Sequence, residues 1–188
     1  MLVFPGPSGP VCGETGGRVA FGKPAVVRGL FGHEETALLQ VECERVASWL
    51  VRRAAADLTL GVLGGSREAV EQGRRMLTLA LHLDPGNALA ARVADRWADG
   101  RDPELAGPDE NLRVFTDFLM RAADRKAADP GAAERQALLA RFLIRLAADA
   151  DPENAEAVYR SERQDREGLG PPWKSLLAGR LAGSRKLR

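Results

Sequence analysis

The sequence predicts an all-α body preceded by an extended arm, and three observations carry that prediction. From Glu34 onward, apolar residues recur at steps of three and four, the period of one helix face. Glycine and proline crowd residues 1–33 and thereafter fall at breaks between apolar runs. The segment Leu83-Asp84-Pro85-Gly86-Asn87-Ala88 returns as Ala150-Asp151-Pro152-Glu153-Asn154-Ala155, 67 positions later. A chain of 188 residues with 45% hydrophobic and 28% charged residues is long and apolar enough to bury a core, which excludes wholesale disorder.

Residues 1–33 form the arm. Their turn-forming residues, such as Pro5, Pro7, Gly16 and Gly17, oppose helix, and two short β-prone runs lie between them, Arg18–Phe21 and Ala25–Phe31. The runs are expected as short strands able to pair as a hairpin. A lone two-stranded hairpin is marginal in water, so the arm packs on the body, pairs with another chain or moves freely.

The body is expected over 34–170. Leu39, Cys43, Val46 and Leu50 make the buried face of a first helix running from Glu34 to about Leu63, with Trp49 widening it, and Gly64-Gly65 ends it. Ser66 caps a second helix that reaches Leu83. Asp84-Pro85 is expected to start a third, with Asp as cap and Pro at the first turn, running to Trp97. A polar loop over Asp99–Asp109 precedes a fourth helix, Glu110–Ala128, buried through Phe115, Phe118 and Leu119. Asp129-Pro130-Gly131 breaks the chain. A fifth helix, Ala132–Ala148, carries so much apolar surface that it belongs at the centre. Asp151-Pro152 is expected to start a sixth, reaching Arg166, and Trp173–Leu177 to form a short segment docking by its indole.

The repeated Asp-Pro-x-Asn turn, at about twice a 34-residue period, resembles the turns of the tetratricopeptide-repeat family. With Pro85 as the closing proline, Leu60-Gly61 falls at that family's Leu-Gly pair, and Ala80, Ala140 and Ala147 fall at its small positions. The match is partial and spans about residues 50–160: Asp57 stands where the family has Trp, Gly64 where it has Tyr, and Gly73 where it has Ala. The resemblance implies stacked antiparallel helical hairpins with a concave partner-binding surface. It places Ala55, Leu58 and Val62 on the groove, either as an apolar seat for a partner or as packing sites for the arm or the next helix.

Catalytic raw material is scarce. There are two histidines, two cysteines and one tyrosine, with no CxxC and no HExxH after His33-Glu34-Glu35. His33 reads as a helix-start residue, and His82 as a residue near a helix C-terminus answering the dipole and the last carbonyls. Gly13–Arg18 lacks the GxxxxGK[ST] pattern of a phosphate loop and reads as a turn. Cys43 reads as a buried small hydrophobe, and Cys12 has no histidine in prospect. Charge pairs such as Glu42 with Arg45, and Asp124 with Lys126, are expected as solvated surface pairs. No catalytic residue, metal ligand or cofactor is assigned.

Charge is uneven beneath a net of +1: +2 over 1–33, −6 over 34–170 and +5 over the tail, 171–188. An acidic body argues against a nucleic-acid-binding core. No basic leader segment opens the chain and no apolar run approaches the roughly 20 residues of a membrane span, so a soluble, cytoplasmic chain is expected. The function these readings favour is a non-enzymatic adaptor or scaffold for a protein partner. It would bind through the groove or by strand pairing of the arm at Val26, Val27, Leu30 and Phe31. The alternative is a self-associating subunit in which one chain's arm completes another.

Overall fold

The computed structural model describes Pro24, Val26, Leu30, Phe31 and residues 37–103, 111–127 and 134–178. Every regular element among them is a helix. Of the expected strands of the arm, Arg18–Phe21 lies outside the described residues, and of Ala25–Phe31 only Val26, Leu30 and Phe31 are described, with Leu30 and Phe31 in a turn. Val27, Cys12, His33, the Gly13–Arg18 turn, the Asp129-Pro130-Gly131 break and the end of the basic tail also lie outside.

The first helix, α1 (Ala37–Gly64), buries Cys43, Val46, Leu50 and Leu58 along the expected stripe. It stops where Gly65 takes φ +67°, a left-handed conformation that a side chain disfavours. Ser66 then caps α2 (Arg67–Leu83), its hydroxyl accepting from the Ala69 amide at 3.2 Å. A two-residue turn between long packed helices makes α1 and α2 an antiparallel hairpin. The hairpin closes tightly because two glycines face it. A Cβ on Gly73 would stand 2.7 Å from Leu58 Cγ, and one on Gly61 2.6 Å from Val70 Cγ2. Gly73 therefore takes the role of a small position even without alanine.

The third helix does not start at Asp84-Pro85. Asn87 caps α3 (Ala88–Ala98), its side-chain oxygen accepting from the amides of Leu89 and Ala90 at 3.1 and 3.0 Å. Asp84 instead holds the preceding turn, accepting from Gly86 N and Asn87 Nδ2, while its own amide closes α2 on Ala80 O. The sixth helix is corrected in the same way: Asn154 caps α6 (Ala155–Arg166) through the Ala157 amide, and Asp151 holds the turn through Glu153 N. In both copies the Asx side chains bracket the Pro-x pair, so proline sits in a turn and the helix begins after the asparagine.

Between these lie α4 (Leu112–Ala127) and α5 (Glu134–Ala150), a second packed pair, with α6 against α5 and α3 against both α1 and α2. Helix α7 (Trp173–Leu177) lies on α2 and docks by its indole, as expected: Trp173 meets Phe142 edge-on at 4.6 Å. Helices α2 and α5 are each 17 residues long and begin 67 positions apart, as do α3 and α6. The molecule is thus built from two three-helix units, α1–α3 and α4–α6.

The two units meet through α1 with α4 and α2 with α5. Near the start of α1, Glu42 accepts from Lys126 Nζ at 2.7 Å and Arg125 Nε at 2.5 Å, both at the end of α4. Further along α1, Trp49 stacks on Phe118 at 4.8 Å and Phe115 at 6.4 Å, nearer the start of α4. The equivalent helices α1 and α4 therefore pass each other in opposite directions, whereas a solenoid with a small rotation per repeat keeps equivalent helices parallel. These contacts also correct the expected surface pairs. Glu42 pairs across the unit boundary, not with Arg45, and Asp124 takes Arg160 Nη1 at 2.6 Å, not Lys126. Lys126 is only 3% exposed, and its ammonium meets the Glu42 carboxylate of α1 at 2.7 Å.

Candidate functional site

Among the described residues an open cleft of about 700 Å³ lies between α1, the first turns of α2 and the end of α5. Helix α1 contributes Arg53 and Asp57, joined at 2.9 Å. The beginning of α2 contributes Ser66, Arg67, Gln72 and Arg75, and α5 contributes Arg145 and Asp149. Arg75 and Arg145 share Asp149, at 3.2 and 2.9 Å, and Arg145 reaches on to Asp165 at 2.8 Å. The guanidinium of Arg75 also lies 5.6 Å from the centre of the Trp173 ring.

Two features of the cleft are unusual. Asp57 is buried, and that burial raises its carboxyl pKa above the ordinary range against the pull of Arg53. Three side-chain donors on the wall, Arg53 Nε, Gln72 Nε2 and Arg75 Nε, are buried without a hydrogen-bond acceptor. Arg75 Nε stands 3.5 Å from Glu71 Oε1, an ion-pair distance that closes no hydrogen bond. A buried donor without an acceptor is destabilising by about 1–3 kcal/mol, so three on one wall need a reason.

The candidate partner residues divide. Ala55 and Leu58 are enclosed in the chain's own core against α2, which is the packing alternative of the sequence reading; a partner cannot touch them in this conformation. Val62 stands on the surface at 59% exposure, flanked by Leu60 at 61% and Leu63 at 78%. Leu30 and Phe31 are buried, with Phe31 edge-on to Phe142 at 6.2 Å, so this part of the arm packs on its own body. Val26 is half-exposed, and Val27 lies outside the described residues.

His82 is fully buried, with Nδ1 2.8 Å from the Thr78 carbonyl. The contact is to a carbonyl one turn back, not to the last carbonyls of the helix as expected, and burial lowers the imidazole pKa below its ordinary value. Cys43 is a buried thiol whose pKa burial raises. Among the described residues no group of three or more His, Cys, Asp or Glu is placed to hold a metal ion, and no helix is long and apolar enough to cross a membrane.

Sequence reasoning missed the cleft. Its one early signal was Gln72, a polar residue on the buried side of α2 where the copy in α5 has Leu139. No family model matches the chain, and neither a curated protein nor a solved structure does.

Proposed function

We propose that the chain is a non-enzymatic binding scaffold for a protein partner, built from two tetratricopeptide-like helical hairpins, each followed by one further helix, that meet face to face. The observation that carries this reading is the apolar end of α1. Leu60, Val62 and Leu63 stand more than half exposed within one turn of each other, beside the charged rim of the cleft at Ser66 and Arg67. Leu60 and Leu63, three residues apart, share one side of the helix, with Val62 turned from Leu60 around it. Adjacent exposed apolar side chains bordered by charge are the composition of a protein-binding patch. Of the groove residues Ala55 and Leu58 are buried and Val62 is exposed, and of the arm Leu30 and Phe31 are buried and Val26 is exposed. The end of α1 is the route that the geometry supports.

The test is affinity capture with the full chain and with the double variant Leu60→Asp/Leu63→Asp, followed by mass spectrometry and light scattering. A specific protein held by the parent and released by the variant is expected. A parent chain that is monomeric and retains nothing the variant does not retain removes the reading. The second reading, self-association, draws on the same exposed side chains, and a concentration-dependent dimer abolished by the double variant would establish it instead.

A further inference from the structure

The duplication of the fold supplies an internal control for the cleft. Position 72 of α2 corresponds to position 139 of α5, and position 75 to 142. In the second unit these places hold Leu139 and Phe142, both buried. The scaffold thus accepts an apolar residue at this point of the helix, and Leu139 shows that no fold-level need calls for an amide. In the first unit the same places hold Gln72 and Arg75. Gln72 is only 9% exposed, and its Nε2 has no acceptor. Burying that amide without a partner destabilises the chain, while leucine would not.

We infer that the cleft between α1, the start of α2 and the end of α5 binds a carboxylate. The unsatisfied wall atoms are all donors: Gln72 Nε2 with the Nε–H groups of Arg53 and Arg75. Arg67, exposed on the same lining, adds a cation. Two coplanar oxygens with several lone pairs answer guanidinium and amide donors together. A multiply charged phosphate suits the cleft less well. Asp57, Glu68, Glu71 and Asp149 line it in equal number to Arg53, Arg67, Arg75 and Arg145, so the attraction comes from the unsatisfied donors and not from net charge. Each charge beyond the first adds repulsion from four carboxylates without adding a donor. The carboxylate comes either from a free organic acid or from an acidic side chain of a bound protein segment.

The Leu60–Leu63 patch adjoins the cleft at Ser66 and Arg67, but this inference does not rest on the scaffold reading, since it is read at Gln72, Arg53 and Arg75, which the patch does not include. The test is NMR of the ¹⁵N-labelled full chain at constant ionic strength, following the Gln72 side-chain amide and the Nε–H signals of Arg53 and Arg75. Sodium acetate is the free-acid probe, an acetylated and amidated Leu-Glu-Leu tripeptide is the side-chain probe, and sodium sulfate is the control. Acetate is expected to shift these signals saturably with a midpoint of about 1–10 mM, the range for one small anion. Gln72→Leu should keep the fold and weaken the acetate effect on Arg53 and Arg75 about tenfold; Arg67→Gln, on the surface, should weaken it about threefold. A tripeptide midpoint at least tenfold below that of acetate assigns a protein side chain as the source, and an equal or higher one assigns a free acid. No shift with acetate up to about 100 mM, an equal response to sulfate, or an undiminished response in Gln72→Leu would overturn the inference.

Discussion

Helices α2 and α5 occupy corresponding places in the two units, have the same length and end in the same Asp-Pro-x-Asn turn, yet they face different neighbours. Along both, the small positions agree, Gly73 with Ala140 and Ala80 with Ala147, as do the large ones, Met76 with Leu143 and Leu79 with Leu146. Among the places where they part are 72/139, 75/142 and 82/149. In α5, Phe142 is gripped between Phe31 from the arm and Trp173 from α7. In α2 the corresponding Arg75 reaches out to Asp149 and lies over the same Trp173. At 72/139 and 75/142, α5 is apolar core where α2 keeps a polar wall on an open cleft. A duplicated element is free to differ where a neighbour covers only one of the copies.

The largest break in this comparison is at its apolar end. Phe142→Ala should lose about 3–5 kcal/mol in denaturant unfolding, because a fully buried ring with aromatic neighbours on two sides leaves a cavity. Arg75→Ala, at the matching place, should lose about 1 kcal/mol or less, since its ion pairs are partly exposed. Equal losses at the two places would show that the units are not divided into a core copy and an open copy.

The bond between units comes next. Lys126→Met should cost about 1–3 kcal/mol, because it leaves the partly buried Glu42 with Arg125 alone. Burial alone would raise the Glu42 carboxyl pKa, but hydrogen bonds from Lys126 and Arg125 hold it below its ordinary value. Its stabilising contribution is therefore complete above the unfolded pKa and lost as pH falls through the lower folded one. Acid unfolding curves of the parent and of Glu42→Gln should converge at low pH and separate near neutrality.

Gly73→Ala sharpens the comparison of small positions and should destabilise by about 1–2 kcal/mol. Leu58 Cγ at 2.7 Å and the Ala54 carbonyl at 3.0 Å outweigh the helix preference for alanine. Ala140→Gly in α5 should cost about 1–2 kcal/mol, the helix-propensity loss together with that of a buried methyl. At 72/139 the sign reverses: Gln72→Leu should gain about 1 kcal/mol in a ligand-free melt, by removing the unpaired amide.

The smallest effect is at His82, whose counterpart is Asp149. Its folded pKa lies below the unfolded value of about 6.5, so the unfolded chain takes up the proton first. The stability that the neutral, buried ring contributes is complete above about pH 6.5 and declines as pH falls toward the folded pKa. Denaturant midpoints at about pH 7.5 and pH 5.5 should show that loss in the parent and a flatter profile in His82→Gln.

Much of this was legible along the chain. Cys43, Val46 and Leu50 marked the face that α1 buries, Gly64-Gly65 and Ser66 marked its end and the next start, and Trp173 marked the docking segment. Each of these signals is local, since it depends on the period of a helix or on the dihedral freedom of one residue. The starts of α3 and α6 were misread because Asp and Asn both cap helices; which one does so depends on a turn geometry that composition does not show. The partners of Glu42 and Asp124 were misread because sequence proximity offers only the neighbours on one helix.

What the sequence by itself determined is the number, period and punctuation of the helices, together with the duplication of their turn, because these follow from backbone preference and apolar spacing within a few residues. The tertiary structure alone decided that α1 and α4 run in opposite directions, that Ala55 and Leu58 are enclosed, and that Gln72 is buried facing an open cleft without an acceptor. Those outcomes depend on which faces meet across distant stretches of chain, and burial, unlike periodicity, is a property of the neighbour as much as of the residue.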